Sequence, residues 1–277
     1  RALKRRLTQV NAQFEVGLIA ITDVLEARAS YDESRVALFT AQSGVESALE
    51  AIEEITGQTK IELANFKAEY PITGIADGSR NEWVRKALKG NLALRLKKHA
   101  EVAAGFEAEG YSAQHLPTLS LSHSQLSGDK TFERTGDQST RLTLSIPIFS
   151  GFATSANADK YAYKHSEAVF AYEGEVKSVT ANTRKLLRDI DASVKTVNAR
   201  QVALESREKA LEAVSQGFEV GTRNIVDVLN AETALYAAKT DYAESRIDHI
   251  QLMVEMKSTL GTLNPDDIEA LDDWLEN

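Results

Sequence analysis

One segment of this chain occurs twice. FEVGLIAITDVL begins at Phe14 and FEVGTRNIVDVL at Phe218, 204 positions later. At that offset Phe14, Glu15, Val16, Gly17, Ile21, Asp23, Val24, Leu25 and Ala27 recur as Phe218, Glu219, Val220, Gly221, Ile225, Asp227, Val228, Leu229 and Ala231. The same offset sets Gly57 on Gly261, so each copy runs from a glycine break through one long helix to a second glycine. Gly17 and Gly221 suit a left-handed helix stop, and Phe14 and Phe218 are placed to staple adjacent helices.

Within the first copy Val24, Tyr31, Leu38, Val45 and Ile52 fall at sevenfold spacing, the seam of a coiled coil. Val228, Leu235, Tyr242, His249 and Met256 repeat it in the second. Upstream of the second copy, Ala153 to Gln216 holds no proline, and Ile190, Val197, Leu204 and Leu211 keep the seven-residue step. A helix of that length spans about 100 Å. Four prolines in 277 residues leave room for such helices, so the chain is expected to be mainly α.

The period changes in LPTLSLSHSQL, from Leu116, and in TRLTLSIPIF, from Thr140, where apolar residues alternate, most clearly at Leu142, Leu144, Ile146 and Ile148. Each run has the roughly 10-residue length of a transmembrane β-strand, and the polar stretch between them suits an external loop. A soluble hairpin packed on a helix would give the same alternation. A very long helix beyond the hairpin, however, offers no compact body to cover it, and an open edge cannot lie in lipid, so closure by several subunits is expected.

Other chemistry is thinly represented. A net charge of −9 argues against a nucleic-acid surface. The basic start, Arg1, Lys4, Arg5 and Arg6, is expected on a solvated helix face. There is no cysteine, the five histidines lack metal-ligand spacing, and no phosphate loop or nucleophile motif occurs. No enzyme activity, cofactor or metal centre is expected. No run approaches the 18 or so apolar residues of a membrane helix.

VGTRNIVDVLNAETALYAAK (Val220 to Lys239), the HLPTL junction (His115 to Leu119) and LGTLN (Leu260 to Asn264) resemble the TolC family of bacterial outer-membrane efflux proteins, and the similarity extends over essentially the whole chain. The resemblance implies very long antiparallel coiled-coil-like helices of an α-helical barrel, plus a two-stranded contribution to a trimeric transmembrane β-barrel. It also implies a homotrimer in the outer membrane of a Gram-negative bacterium, working with a periplasmic adaptor protein and an inner-membrane pump of RND or ABC type. Each family protomer is a duplication, which accounts for the repeat. Only thirteen residues precede Phe14, whereas two strands and a long helix precede Phe218, so about a hundred further residues are expected N-terminal to this stretch.

On the same basis residues 1–60 are first-repeat periplasmic helices, 61–81 an equatorial segment, 82–115 one helix, and 116–149 the membrane hairpin. Residues 150–262 are the second-repeat helices with a tip turn at 217–224, and 263–277 a C-terminal irregular equatorial segment. The family closes its tunnel at the FEVG turns. Arg223 matches its gating arginine, which links to the residues corresponding to Thr22 and Asp23, within or between protomers. Asp227 matches an aspartate that rings the constriction, the best cation candidate here. Phe218 stands where the family has a hydrogen-bonding tyrosine and Asn230 where it has a second ring aspartate, so the closed state is expected to be less tightly latched. Near a helix N-terminus, Asp23 and Asp227 are favoured by the dipole whether or not they gate anything.

The expected function is a passive exit duct for efflux or type I secretion, gated at its helical tip. A periplasmic adaptor or a structural coiled-coil protein is the alternative.

Overall fold

The computed structural model describes residues 2–59, 63–67, 70–75, 78–125 and 138–275. The chain is mainly α: α1 (Ala2–Glu15), α2 (Ile21–Thr56), α3 (Arg80–Gly90), α4 (Leu92–Ala113), α5 (Ala153–Glu219), α6 (Ile225–Leu260) and α7 (Pro265–Asp272), with strands β1 (Thr118–Gln125) and β2 (Gln138–Ser145). Two compact units share them. One comprises Arg1–Asp77, Leu186–Met256 and Leu263–Asn277, the other Gly78–Lys185 and Lys257–Thr262.

In the first unit the second-copy seam is covered. Val228, Leu235, His249 and Met256 of α6 are buried, as are Ile190 and Val197 of α5. Each aliphatic side chain removed from water in this way contributes about 1.5–3 kcal/mol. The matching seam of α2 is covered only at its start: Val24 and Ala27 are buried, whereas Leu38 and Val45 are more than half exposed. Identical heptad spacing thus leads to two states of burial, because spacing defines a face but not its neighbour. Where the copies meet, Val10, Val24, Ala27, Ile225, Val228 and Leu229 form one apolar cluster, with Leu3, Leu7, Phe218 and Val226 around it.

The C-terminal segment differs from the irregular stretch expected over 263–277. Asn264 caps α7, accepting from the Asp267 amide at 2.9 Å, while Asp267 Oδ2 accepts from the Asn264 amide at 3.0 Å. Pro265 fills the first helical position, where its missing N–H costs nothing. Trp274 packs edge-on against Tyr70, and Lys67 Nζ donates to the Asp273 carbonyl at 2.8 Å. Residues 61–62, 68–69 and 76–77 of the expected equatorial segment lie outside the described residues.

In the second unit the single helix expected over 82–115 is two. A reciprocal capping box between Ser79 and Glu82 starts α3. Asn91 then leaves helical backbone (ψ 124°) and begins α4, its Oδ1 accepting from the Leu94 amide at 2.9 Å and its Nδ2 donating to the Thr259 carbonyl at 3.0 Å. Beside it a Cβ on Gly90 would lie 2.0 Å from the Leu260 carbonyl oxygen, and one on Gly261 2.0 Å from the Gly90 carbonyl oxygen. Only glycine permits that approach.

The hairpin is antiparallel, with Leu119 opposite Leu144 and Leu121 opposite Leu142. Those four side chains share one face, while Ser120, Ser122, Thr143 and Arg141 share the other. Every residue of both strands is exposed. β2 stops at Ser145, two residues before Pro147, which has no N–H to donate to a ladder. The expected external loop falls largely on 126–137, outside the described residues.

Candidate functional site

The two FEVG turns are built alike. In the first, the Gly17 amide donates to the Phe14 carbonyl at 2.9 Å and the Leu18 amide to that of Gln13 at 2.9 Å. In the second, Gly221 donates to Phe218 at 3.1 Å and Thr222 to Gly217 at 2.8 Å. Gly17 has φ 76° and Gly221 φ 77°, left-handed values at which an L side chain is strained. The turns therefore repeat in backbone as well as in sequence.

They differ in side chains. Gly217 stands where the first copy has Gln13, and a Cβ there would come 2.8 Å from Arg223 Cγ. Its bare backbone gives the Arg223 stem room to lie against the turn. Arg223 Nη1 is 3.8 Å from Asp227 Oδ2, with both side chains substantially exposed. Such a solvated contact is worth no more than about 1 kcal/mol. Asp227 is also tied to the helix start: its amide donates to Asn224 Oδ1 at 2.8 Å, and its Oδ2 accepts from the Asn224 amide at 3.4 Å.

Arg223 and Asp227 are thus brought together, while Thr22 and Asp23 are not joined to Arg223 by any hydrogen bond or ion pair among the described residues. Thr22 and Asn230 are exposed, and Asp23 is half-buried at the start of α2. Phe218 is half-buried against the apolar cluster. Among the described residues no three acidic or histidine side chains are grouped to hold a metal ion.

Arg6 corrects the expectation of a solvated basic face. Its Nη2 donates to Glu232 Oε1 at 3.0 Å, with only 17% of the arginine and 8% of the glutamate side chain exposed. Arg6 Nε, Glu232 Oε2 and the Oε1 of Gln13, on the same helix as Arg6, are buried without a hydrogen-bond partner in the chain. The signal for Arg6 was its position: it lies on the inward stripe of α1 with Leu3, Leu7 and Val10. Glu232, between Val228 and Leu235, is likewise on the buried face of α6. Position 28, its counterpart in the first copy, is Arg28, so this pair has no equivalent in the repeat.

Residues 83–262 match the family model described as outer membrane efflux protein. The chain is 34% identical to the outer membrane protein TolC of Escherichia coli (strain K12), an alignment covering 99% of this chain and 58% of that protein. It is 25% identical to the alkaline protease secretion protein AprF of Pseudomonas aeruginosa, over 98% of this chain and 58% of that one. Among solved structures the outer membrane channel CmeC of Campylobacter jejuni superposes with a TM-score of 0.78 at 15% identity, covering 99% of this chain and 61% of that one. The chain thus spans less than two thirds of the length of these relatives.

Proposed function

Since the chain belongs to the outer membrane efflux protein family, we propose that the protein of which it forms the described part is a passive exit duct through the outer membrane. Three copies close the β-barrel and the helical tunnel, and a periplasmic adaptor and an inner-membrane pump of RND or ABC type deliver the cargo. A hairpin exposed on both faces, one of leucine and the other of serine, threonine and arginine, is the observation that carries this reading. Lipid takes the leucine face and the aqueous lumen the polar one. The relatives' names, spanning efflux and protease secretion, support a conduit shared by both kinds of traffic.

The tip formed by the two FEVG turns is the gate. Arg223 and Asp227 sit at the second turn, and a charge-assisted bond from Arg223 to Thr22 and Asp23 of a neighbouring copy holds the tunnel closed. Asp227, repeated three times round an axis, attracts cations. Phe218 closes the turn by packing, and Asn230 contributes no charge to the ring.

The test is single-channel conductance of the full-length trimer in a planar bilayer. Arg223→Ala is expected to raise conductance, and Asp227→Ala to abolish block by an added trivalent cation. Absence of any channel overturns the duct; channels indifferent to both substitutions overturn the gate.

A further inference from the structure

We propose that the buried pair Arg6–Glu232 is a second latch on the tip, acting inside each protomer. The inference rests on the duct reading above. Both gate residues on the second turn, Arg223 and Asp227, belong to the second copy, and their contact with each other ties that copy to nothing else. Packing between the copies at the tip is otherwise apolar and non-directional. Among the described residues of the tip, Arg6–Glu232 is the one charged contact joining the first copy's helices to the second's.

Its position makes it sensitive to opening. Glu232 lies on α6 little more than one turn beyond Asp227, so a movement that parts the start of α6 from α1 also parts Glu232 from Arg6. Its bonding makes it releasable. A fully satisfied, two-pronged ion pair would fasten the copies permanently, but here one hydrogen bond carries the contact, and Arg6 Nε and Glu232 Oε2 have no partner in the chain. Separation returns both ions to water, which offsets part of the lost attraction. The pair therefore biases the tip towards closure without forbidding opening.

The experiment measures single-channel conductance of the full-length trimer for wild type, Arg6→Gln, Glu232→Gln, the exchange Arg6→Glu with Glu232→Arg, and Arg223→Ala. Each single substitution is expected to raise the open population on the order of tenfold, and the exchange to return it towards wild type. A purely structural pair would lower the yield of trimer but leave conductance unchanged. Should the singles fail to assemble, Arg6→Met with Glu232→Met removes both charges and keeps the packing; its trimers are then expected to open as the singles would. Wild-type conductance in assembled singles or in the double methionine variant overturns the latch. If Arg223→Ala alone opens the channel, the duct and its gate stand and only this proposal falls. Absence of any channel removes both.

Discussion

Asn224 caps α6, whereas Ala20, the residue in the same place 204 positions earlier, caps nothing in α2. Asp23 waits at the third helical position of α2 as Asp227 does in α6. Ala20→Asn is therefore expected to build the missing capping box and stabilise the first turn of α2 by about 1 kcal/mol. Slower hydrogen exchange at the Asp23 amide checks it; unchanged exchange would show that the backbone at Ala20 does not tolerate the cap.

At Gly221 an added Cβ meets nothing within 4 Å, so the cost of substitution there is the left-handed backbone alone. Gly221→Ala is expected to lose about 1 kcal/mol, and Gly221→Asn less, because asparagine tolerates that conformation. Thermal unfolding of the two variants gives the order.

Gly90 presents the opposite case. It lies outside the left-handed residues, but the Leu260 carbonyl fills the space its side chain would need. Gly90→Ala is expected to cost about 3 kcal/mol through overpacking against backbone. A denaturant midpoint close to wild type would mean that the α3–α4 junction moves freely.

His249 is fully buried, with Nδ1 bonded to the Ser193 hydroxyl at 2.8 Å. Burial lowers its pKa from the ordinary 6.5, and a hydrogen bond to the Thr73 backbone partly opposes that shift. The unfolded chain then binds more protons than the folded one as pH falls below the ordinary value. The stability this provides is complete above about pH 6.5 and is lost as pH falls through the folded value, with a slope of at most about 1.4 kcal/mol per pH unit. Denaturation of wild type and His249→Gln at pH 7.5 and pH 5 measures the difference, which is expected to shrink in the acid.

The two faces of the hairpin should respond oppositely to charge. Leu121→Arg, on the face proposed to meet lipid, is expected to cost about 2–4 kcal/mol or prevent insertion, while Ser120→Arg next to it leaves insertion intact and alters ion selectivity. Equal tolerance at both positions, in a folding assay with lipid vesicles, would remove the assignment of faces.

Much of this architecture was legible because the sequence wrote it locally. The Phe14 and Phe218 turns and the leucine alternation lie within a few residues of the geometry they specify. The break at Asn91 was missed although Gly90-Asn91 marks it, since helical spacing continues on both sides. The helix at Pro265 was missed although Asn264 and Asp267 form a recognisable cap. The Arg6–Glu232 contact could not be read directly: its partners are 226 residues apart, and charged residues beside an apolar stripe more often face water. The pairing of Arg223 with Asp227 is a local, four-residue contact, whereas one with Asp23 inside the same chain would depend on which helix faces meet.

The strand ladder carries a consequence for how such a chain can change through time. Because Leu119 and Ser120 point to opposite sides, the fate of each strand residue is a matter of parity. Lengthening β1 by a single residue ahead of Leu119 would turn the strand inside out, sending serines where leucines stood; a second inserted residue would restore it. Variation in the strands is thus confined to even steps, and connecting segments are left to absorb the odd ones.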